Sequence, residues 1–137
     1  MQVKFWKPEL SNISEKAIIG DDTTIHSQVW IGDGVKIGER CKIQAFVFIP
    51  TGVEIGNDVF IGPHTCFTND KKPPSYGKNW AKTIVKDRVS IGANCTILPG
   101  IIIGEDARIG AGSILTKDVP AGETWFGNSA KKYETKS

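Results

Sequence analysis

Residues 31–62 read IGDGVKIGERCKIQAFVFIPTGVEIGNDVFIG, and isoleucine occupies every sixth position of this stretch. The same period runs from Ile19 to Ile61 and resumes in phase from Ile91 to Ile109. A six-residue period fits neither an α-helix nor a sheet of long alternating strands. It is typical of a parallel β-helix, in which each repeat contributes one short strand and one turn. The sequence therefore predicts an all-β parallel β-helix through most of the chain.

The residue two positions before each isoleucine should also point inward, because side chains alternate along a strand. These residues are nearly all small or β-branched, as a narrow interior requires. Cys41 and Cys95 are among them, so we expect both to fill the core. The glycine that follows most of the isoleucines suits a turn with an unusual φ. The predicted inward positions are Thr23, Val29, Val35, Cys41, Val47, Val53, Val59, Thr65, Val89, Cys95, Ile101, Ala107 and Ser113.

Length and composition predict one domain over residues 1–137. The 39% hydrophobic and 23% charged residues are typical of a soluble globular protein. The formal net charge of +2 is too small to indicate binding to nucleic acid. No apolar run approaches the ~20 residues that span a membrane, and no membrane partner is expected. Residues 1–10 contain two lysines, a proline and a glutamate, unlike a signal peptide.

The three cysteines lack CxxC spacing, which favours free thiols in a reducing cytoplasm over disulfides or zinc. Only two histidines are present, His26 and His64, which is few for a metal site. We therefore expect a cytoplasmic protein without a metal.

Residues 68–83, TNDKKPPSYGKNWAKT, interrupt the repeat without disturbing its phase. Pro73, Pro74 and Gly77 disfavour regular structure there. This pattern predicts a loop that protrudes from one corner of the helix and returns to it. Such a loop on a rigid scaffold is the usual place for a binding element, although a purely structural spacer is the alternative.

Both ends of a solenoid expose core and need covering. The first residues, with Phe5 and Trp6, are candidates for one end. Trp125 and Phe126 are candidates for the other, followed by a short polar C-terminal tail that is expected to fray.

Three segments carry a resemblance to a known family: FTNDKKPP (67–74), SIGANCTILPGIIIGEDARIGAGSILTKDVPAG (90–122) and GNSAKK (127–132). Over nearly its whole length the chain resembles the hexapeptide-repeat acyltransferases, and especially the nucleotide-sugar N-acetyltransferases of surface polysaccharide (lipopolysaccharide) biosynthesis. The resemblance implies a left-handed β-helix with three repeats in each triangular coil. It also implies acetyl-CoA as acyl donor, bound in a cleft between adjacent subunits of a trimer.

With three repeats in each coil, the outward residues just before each isoleucine fall into three columns. One column is mixed and charged and is expected to face solvent. Another is apolar and is expected to form an interface, because a continuous apolar stripe should not face water. We expect a homotrimer packed on this stripe; coverage by the C-terminal tail is the alternative. The predicted stripe consists of Trp30, Phe48, Cys66, Ile84 and Ile102.

In this family the pantetheine arm passes small corner residues, which implies a coenzyme A site along Ala93 and Ala111 with their neighbours Gly92 and Gly110. Glycine and alanine also simply fit tight turns, so the structural interpretation stays open. Phosphate contacts are implied for Lys117 and Lys131, with Lys132 beside them.

The resemblance points to Asn69, in the family's FTN segment, as the residue that orients the attacking amine. Positioning and stabilisation of the oxyanion would then supply most of the rate. Asp70 is expected to hold a sugar hydroxyl or to take up the proton. His64 is a candidate general base, because histidine titrates near the operating pH. Turn formation is the alternative for the Asn-Asp pair, and His26 is a weaker candidate.

Relatives often continue FTND with a segment ending in arginine, where this chain has Lys72, Pro73 and Pro74. The missing arginine argues against an anionic group that it would bind, such as a sugar carboxylate or a phosphate, and favours a neutral deoxyamino sugar linked to dTDP or UDP over a uronic acid. Lys71 or Lys72 would make a less geometric contact in its place. Tyr76 or Trp80 is expected to stack on the nucleotide base or to hold the loop against a neighbour.

Three other functions remain open. The chain could be another hexapeptide acyltransferase that acts on an antibiotic, a simple sugar or serine. A metal enzyme like the γ-carbonic anhydrases would need three histidine ligands for each zinc, which two histidines supply poorly. A non-catalytic structural or ice-binding β-helix would need ordered repeats of threonine, which the outward columns lack. Fold alone does not decide among these functions.

Overall fold

The computed structural model describes residues 2–78 and 80–134, and it confirms an all-β parallel β-helix. Each coil adds one strand to each of three parallel sheets, which form the three faces of a prism. Partners on one face come from every third repeat, as Thr24 and Lys42 do, so three repeats complete one coil. The only helix in the described residues is a short 3-10 turn, Pro8–Leu10.

The three faces are named here in the order in which the chain visits them. The first face has eight strands: Lys4–Phe5, Thr24–Ile25, Lys42–Ile43, Phe60–Ile61, Ser90–Ile91, Arg108–Ile109, Thr124–Phe126 and Lys131–Lys132. The second face has six: Asn12–Ile13, Trp30–Ile31, Phe48–Ile49, Cys66–Phe67, Thr96–Ile97 and Ile114–Leu115. The third face has five: Ile18–Ile19, Lys36–Ile37, Val53–Ile55, Thr83–Val85 and Ile102–Ile103.

The core fills the inside of the prism with the residues that the repeat predicts. The isoleucines at the repeat positions from Ile25 to Ile109 are buried, and so are all the residues predicted two positions before them. Polar members of this set hydrogen-bond to the corner backbone; Thr23 Oγ1, for example, donates to the Gly38 carbonyl at 2.7 Å. Cys41 and Cys95 are buried as expected, and burial raises the pKa of both thiols.

The glycines after isoleucine do not serve the purpose that the sequence suggested. They do not have positive φ; the left-handed conformation falls two residues later, for example at Asp22, Arg40 and His64. The glycines instead allow close stacking of coils. A Cβ on Gly92 would lie 2.7 Å from the Ala111 nitrogen. Since real Cβ atoms do not approach backbone that closely, the spacing between coils requires glycine at such positions.

The loop changes the assignment of outward residues to faces. Val53 pairs with Thr83, whereas an uninterrupted coil would pair it with Lys71. The loop therefore lengthens this coil by the equivalent of two repeats. The phase of the repeat survives such an insertion, while the face on which each later strand lies shifts. Ile84 and Ile102 consequently lie on the third face, not on the predicted apolar stripe.

The second face nevertheless has no charged outward residue in the strands that the structure describes. Its outward residues are Asn12, Trp30, Phe48, Cys66, Thr96 and Ile114. The outward residues of the first and third faces include lysine, arginine or glutamate.

Residues 124–132 form two strands, where the sequence suggested a polar tail that frays after Phe126. Thr124–Phe126 continues the first face, and Lys131–Lys132 pairs with it in antiparallel fashion. At the opposite end Lys4–Phe5 pairs with Thr24–Ile25 on the same face. The predicted covering segments thus extend the first face at both ends.

At the corner between the third and first faces, two arginines each form a two-bonded ion pair with an aspartate of the next coil. The Arg40 guanidinium donates to both carboxylate oxygens of Asp58, at 2.9 and 3.1 Å. Arg88 binds Asp106 in the same way, at 2.8 and 3.2 Å. The hydrogen bonds from Arg40 and Arg88 lower the pKa of the Asp58 and Asp106 carboxyls.

Candidate functional site

The predicted loop leaves the helix at the corner between the second and third faces, called here the second corner. Its base is held together by backbone pairing: the Ala81 N–H donates to the Asn69 carbonyl at 3.1 Å, and Asp70 forms an antiparallel bridge with Trp80. Thr83 then rejoins the third face. The predicted loop is thus confirmed over 68–78 and 80–82, with Asn79 outside the described residues and Thr83 already in the strand, and its closed neck fixes Asn69 and Asp70 to the scaffold.

Asn69 is held by one half of its amide. Its Nδ2 donates to the Thr51 carbonyl of the preceding coil at 2.8 Å. This bond leaves Oδ1 as the free acceptor among the described residues. An amide anchored in this way can accept a hydrogen bond from an attacking amine without first reorienting, which is what positioning requires.

Asp70 has one satisfied and one unsatisfied carboxylate oxygen. Oδ2 accepts a hydrogen bond from the Ser75 backbone N–H at 2.8 Å. Oδ1 and the Ser75 hydroxyl are buried without a partner in the described part of the chain. Both residues line a pocket of about 220 Å³ together with Lys71 and Lys72. This pocket offers a hydrogen-bond acceptor, a hydroxyl and two cationic side chains to a polar ligand.

The two aromatic residues of the loop have different surroundings. Tyr76 is 86% exposed at the loop tip. Trp80 lies at the neck, near Gly77, whose added Cβ would be 3.7 Å from the indole ring. The structure therefore holds Trp80 beside Asn69 and leaves Tyr76 in solvent.

Below the neck a groove of about 460 Å³ follows the second corner and reaches onto the second face. Asn69 and Trp80 line it, so it is continuous with the predicted site. Trp30, Phe48 and Asp33 also line it; the sequence had assigned Trp30 and Phe48 only to the interface stripe and Asp33 to nothing. Trp30 and Phe48 are one coil apart in the sequence, and both precede the loop. This regular spacing is the sequence signal that could have indicated two stacked aromatic residues near the site.

His64 and the small residues predicted for coenzyme A share a different corner, between the first and second faces, called here the first corner. The exposed imidazole of His64 stacks on Phe46 with ring centroids 4.7 Å apart. Asn94, next to Ala93, donates from its N–H to the Pro63 carbonyl beside His64 at 2.9 Å. Gly92, Gly110 and Ala111 continue this corner in the following coils.

Within one chain the structure does not bring His64 to Asn69. The two residues belong to the same coil but flank the strand Cys66–Phe67, one at each corner of the second face. The predicted coenzyme A residues are divided similarly. Lys117 follows Ile114–Leu115 onto the second corner, whereas Lys131 lies on the added strand of the first face.

Neither a metal site nor a membrane span is found in the described part of the chain. Residues 2–78 and 80–134 contain no cluster of three or more histidine, cysteine, aspartate or glutamate side chains arranged to hold a metal ion. The same residues include no helix with the length and hydropathy of a membrane span.

The sequence also matches known repeat families and curated relatives. The bacterial transferase hexapeptide pattern (six repeats) matches residues 34–69 and 82–117, and the hexapeptide repeat of succinyl-transferase matches residues 16–50. The bifunctional protein GlmU of Listeria welshimeri is 35% identical over 129 residues. That alignment covers 90% of this chain but 26% of GlmU, so the chain spans about a quarter of the relative's length.

Solved structures share the fold at lower identity. PerB of Caulobacter crescentus, crystallised with CoA and GDP-perosamine, superposes with a TM-score of 0.83 at 20% identity, over 96% of this chain and 58% of PerB. The N-acyltransferase AntD of Bacillus cereus, crystallised with dTDP and 3-hydroxybutyryl-CoA, superposes with a TM-score of 0.77 at 22% identity, over 98% of this chain and 77% of AntD. With the hexapeptide pattern matching more than half of its residues, the chain belongs to the bacterial transferase hexapeptide family.

Proposed function

We propose that this chain transfers an acetyl group from acetyl-CoA to the amino group of a nucleotide-linked amino sugar. The observation that carries the proposal is the anchored Asn69 amide, held by Thr51 at the mouth of a groove and beside a polar loop pocket. The ligands crystallised with PerB and AntD, a coenzyme A species together with a nucleotide or nucleotide sugar, support the same pair of substrates.

The reaction needs a neutral amine next to a thioester. The amine nitrogen attacks the acetyl carbonyl, so a C–N bond forms, the C–S bond breaks, and coenzyme A leaves as a thiol. The nitrogen loses one proton, and the leaving sulfur gains one. Asn69 Oδ1 orients the amine by accepting a hydrogen bond from one of its N–H groups. Asp70, whose Oδ1 has no partner among the described residues, accepts a hydrogen bond from a hydroxyl of the sugar or takes up the amine proton.

We further propose that the complete site forms between copies of the chain in a homotrimer. The uncharged second face is the surface best suited to pack around a threefold axis. In that arrangement the first corner of one copy lies against the second corner of the next. Because a threefold axis along the helix preserves the level of each coil, His64 of one copy then faces Asn69 of its neighbour.

The same arrangement would reunite the divided coenzyme A residues. Ala93 and Ala111 of one copy and Lys117 of the next belong to the coils above Asn69. The pantetheine arm would follow the small residues of the first corner, with Lys117 and Lys131 available to the phosphates as point charges. The acetyl group would then reach the coil that holds Asn69 and His64.

Thiol release from acetyl-CoA, measured with a panel of dTDP- and UDP-linked amino sugars, tests the reaction. No turnover with any amine acceptor would reject it. The shared site is tested by coexpressing Asn69→Ala and His64→Ala chains that carry different tags. If each site takes Asn69 and His64 from different copies, random mixing restores about a quarter of wild-type activity. A site within one chain would show no recovery, because every chain then carries one defect.

A second candidate function within the same family is O- or N-acetylation of a different small acceptor. The chain lacks the family's arginine after FTND. If the loop binds nucleotide phosphates weakly for this reason, an acceptor without a nucleotide is favoured. Turnover of a free amino sugar or a hydroxyl acceptor in place of nucleotide sugars would identify this case. A non-catalytic structural β-helix would show no thiol release with any acceptor.

A further inference from the structure

Three aromatic side chains line the groove below the loop neck. Trp30 and Phe48 stack on the second face with ring centroids 6.0 Å apart and an interplanar angle of 27°. Trp80 lines the same groove from the loop neck. In the single chain the three side chains keep 45%, 39% and 49% of their surface exposed, and in the proposed trimer this groove lies in the cleft between the second corner of one copy and the first corner of the next.

The groove carries polar groups along its edges, but its described lining includes no positive charge. Asp33 is the only charged residue among those that line it, and Ser14 Oγ donates to Asp33 Oδ1. Asn12, Thr51 and Asn69 supply further polar groups. A lining of this kind complements a neutral or cationic ligand and opposes a diphosphate.

A diphosphate would find cations on the other side of the neck. Lys71 extends over the second corner there, with its Nζ 3.4 Å from the position of an added Cβ on Gly100. Lys72 lies next to it in the loop pocket. The second corner therefore offers an aromatic, acidic section below the neck and a cationic section at and above it.

We infer that the aromatic groove binds the hexose ring that carries the reacting amine, and that Trp30, Phe48 and Trp80 are the residues that position this ring. The inference rests on the proposed function, because it places the ring where its amine meets Asn69. One face of a hexose is apolar and suits aromatic surface, while its hydroxyls reach the polar edges, as in most small-molecule sites. Asp33 adds attraction for the amine in its protonated, arriving form.

Nuclear magnetic resonance of the four tryptophan indole N–H groups provides the test, with D-glucosamine as the probe. The indoles of Trp30 and Trp80 should shift on titration. The indole of Trp125 is the control, because it donates to Glu123 at the C-terminal end, away from the groove. Its resonance should not move.

Variants separate the ring from the charge. Trp30→Ala should raise the dissociation constant for D-glucosamine about two- to tenfold, the range expected for one aromatic contact. Phe60→Ala, at an exposed aromatic residue of the first face, should leave it unchanged. Asp33→Asn should weaken binding of D-glucosamine about twofold, because Asp33 lies two coils below Asn69 and attracts the ammonium group only over that distance. It should not affect D-glucose, which has a hydroxyl in place of the amine.

Three results would overturn the assignment. The first is that Trp30 and Trp80 do not respond to D-glucosamine, or respond no more than Trp125. The second is a larger response to uridine 5′-monophosphate, which would assign the groove to the nucleotide. The third is a Trp30→Ala variant that changes the oligomeric state while KM for the amino sugar stays constant, which would make the aromatics an interface.

Failure of the proposed function is recognised separately. If no amino sugar supports thiol release, the reaction itself is wrong. If thiol release proceeds and Trp30→Ala leaves KM unchanged, only the assignment of the groove is wrong.

Discussion

Replacing Asn69 by alanine separates its proposed work on the substrate from its contribution to the fold. The substitution removes the 2.8 Å bond from Nδ2 to the Thr51 carbonyl together with the free Oδ1 acceptor. The lost bond should lower the free energy of unfolding by about 1 kcal/mol. If the amide positions the amine, kcat should also fall about ten- to a thousandfold.

Asn57 offers a matched control on another corner. Its Oδ1 accepts a hydrogen bond from the Glu39 N–H at 2.8 Å, so Asn57→Ala also removes one asparagine contact between coils. We expect a similar loss of stability, seen as a fall in the melting temperature of about 2–8 °C in each variant. Only Asn69→Ala should lose activity in the thiol-release assay at a temperature where both variants are folded.

Asn69→Asp sharpens the interpretation. The carboxylate keeps the size of the side chain but replaces the Nδ2 donor by an oxygen that repels the Thr51 carbonyl. The side chain should leave its anchored position, and kcat should fall although an acceptor oxygen remains. A kcat within twofold of wild type for either Asn69 variant would refute the positioning role, as would an equal loss in Asn57→Ala.

The remaining predictions concern stability. Gly92→Ala should lower the free energy of unfolding by about 1–3 kcal/mol in denaturant titrations, because its Cβ would lie 2.7 Å from the Ala111 nitrogen. Gly112→Asn is the control, since asparagine tolerates its φ of 74° and the space around it is open; equal losses would contradict the close-approach argument. The hydrogen bond from Arg40 lowers the pKa of the Asp58 carboxyl. The ionised carboxylate should therefore stabilise the fold at pH values above 3.8, the ordinary pKa of aspartate. This contribution is lost as the pH falls through the lowered pKa, so Asp58→Asn should flatten the acid side of a plot of unfolding midpoint against pH. An unchanged acid slope would show that the ion pair contributes nothing measurable.

The coil itself could be predicted from the sequence almost residue by residue. Each repeat is local, and the requirement for small or β-branched inward residues leaves a mark every six positions. Cys41 and Thr23 were assigned to the core for this reason and are buried there. The sequence indicated that glycine is needed after many of the isoleucines, but it did not indicate why. A contact such as that of Gly92 with Ala111 exists only once the coils are stacked.

The candidate site was predictable only in part. Asn69, Asp70 and Trp80 adjoin in sequence or face each other across the neck of one loop, and the structure places them together. His64 is close to Asn69 in the sequence, yet a strand separates them. Their proximity in the sequence therefore suggested one site within the chain, whereas the structure places the two residues at different corners.

The six-residue repeat by itself determined the fold, because a period that recurs through most of the chain and resumes in phase after the loop admits one way of burying isoleucine at every turn. Tertiary structure alone decided which face each strand joins after the loop, since an insertion equal to two repeats preserves the period of the strands but not the three-repeat period of the coils. The insertion places Ile84 and Ile102 on a different face from Trp30 and Phe48. Those two aromatic residues line the groove together with Asn69. A linear pattern carries the period of the strands, whereas the neighbours of a side chain depend on how many residues each coil contains.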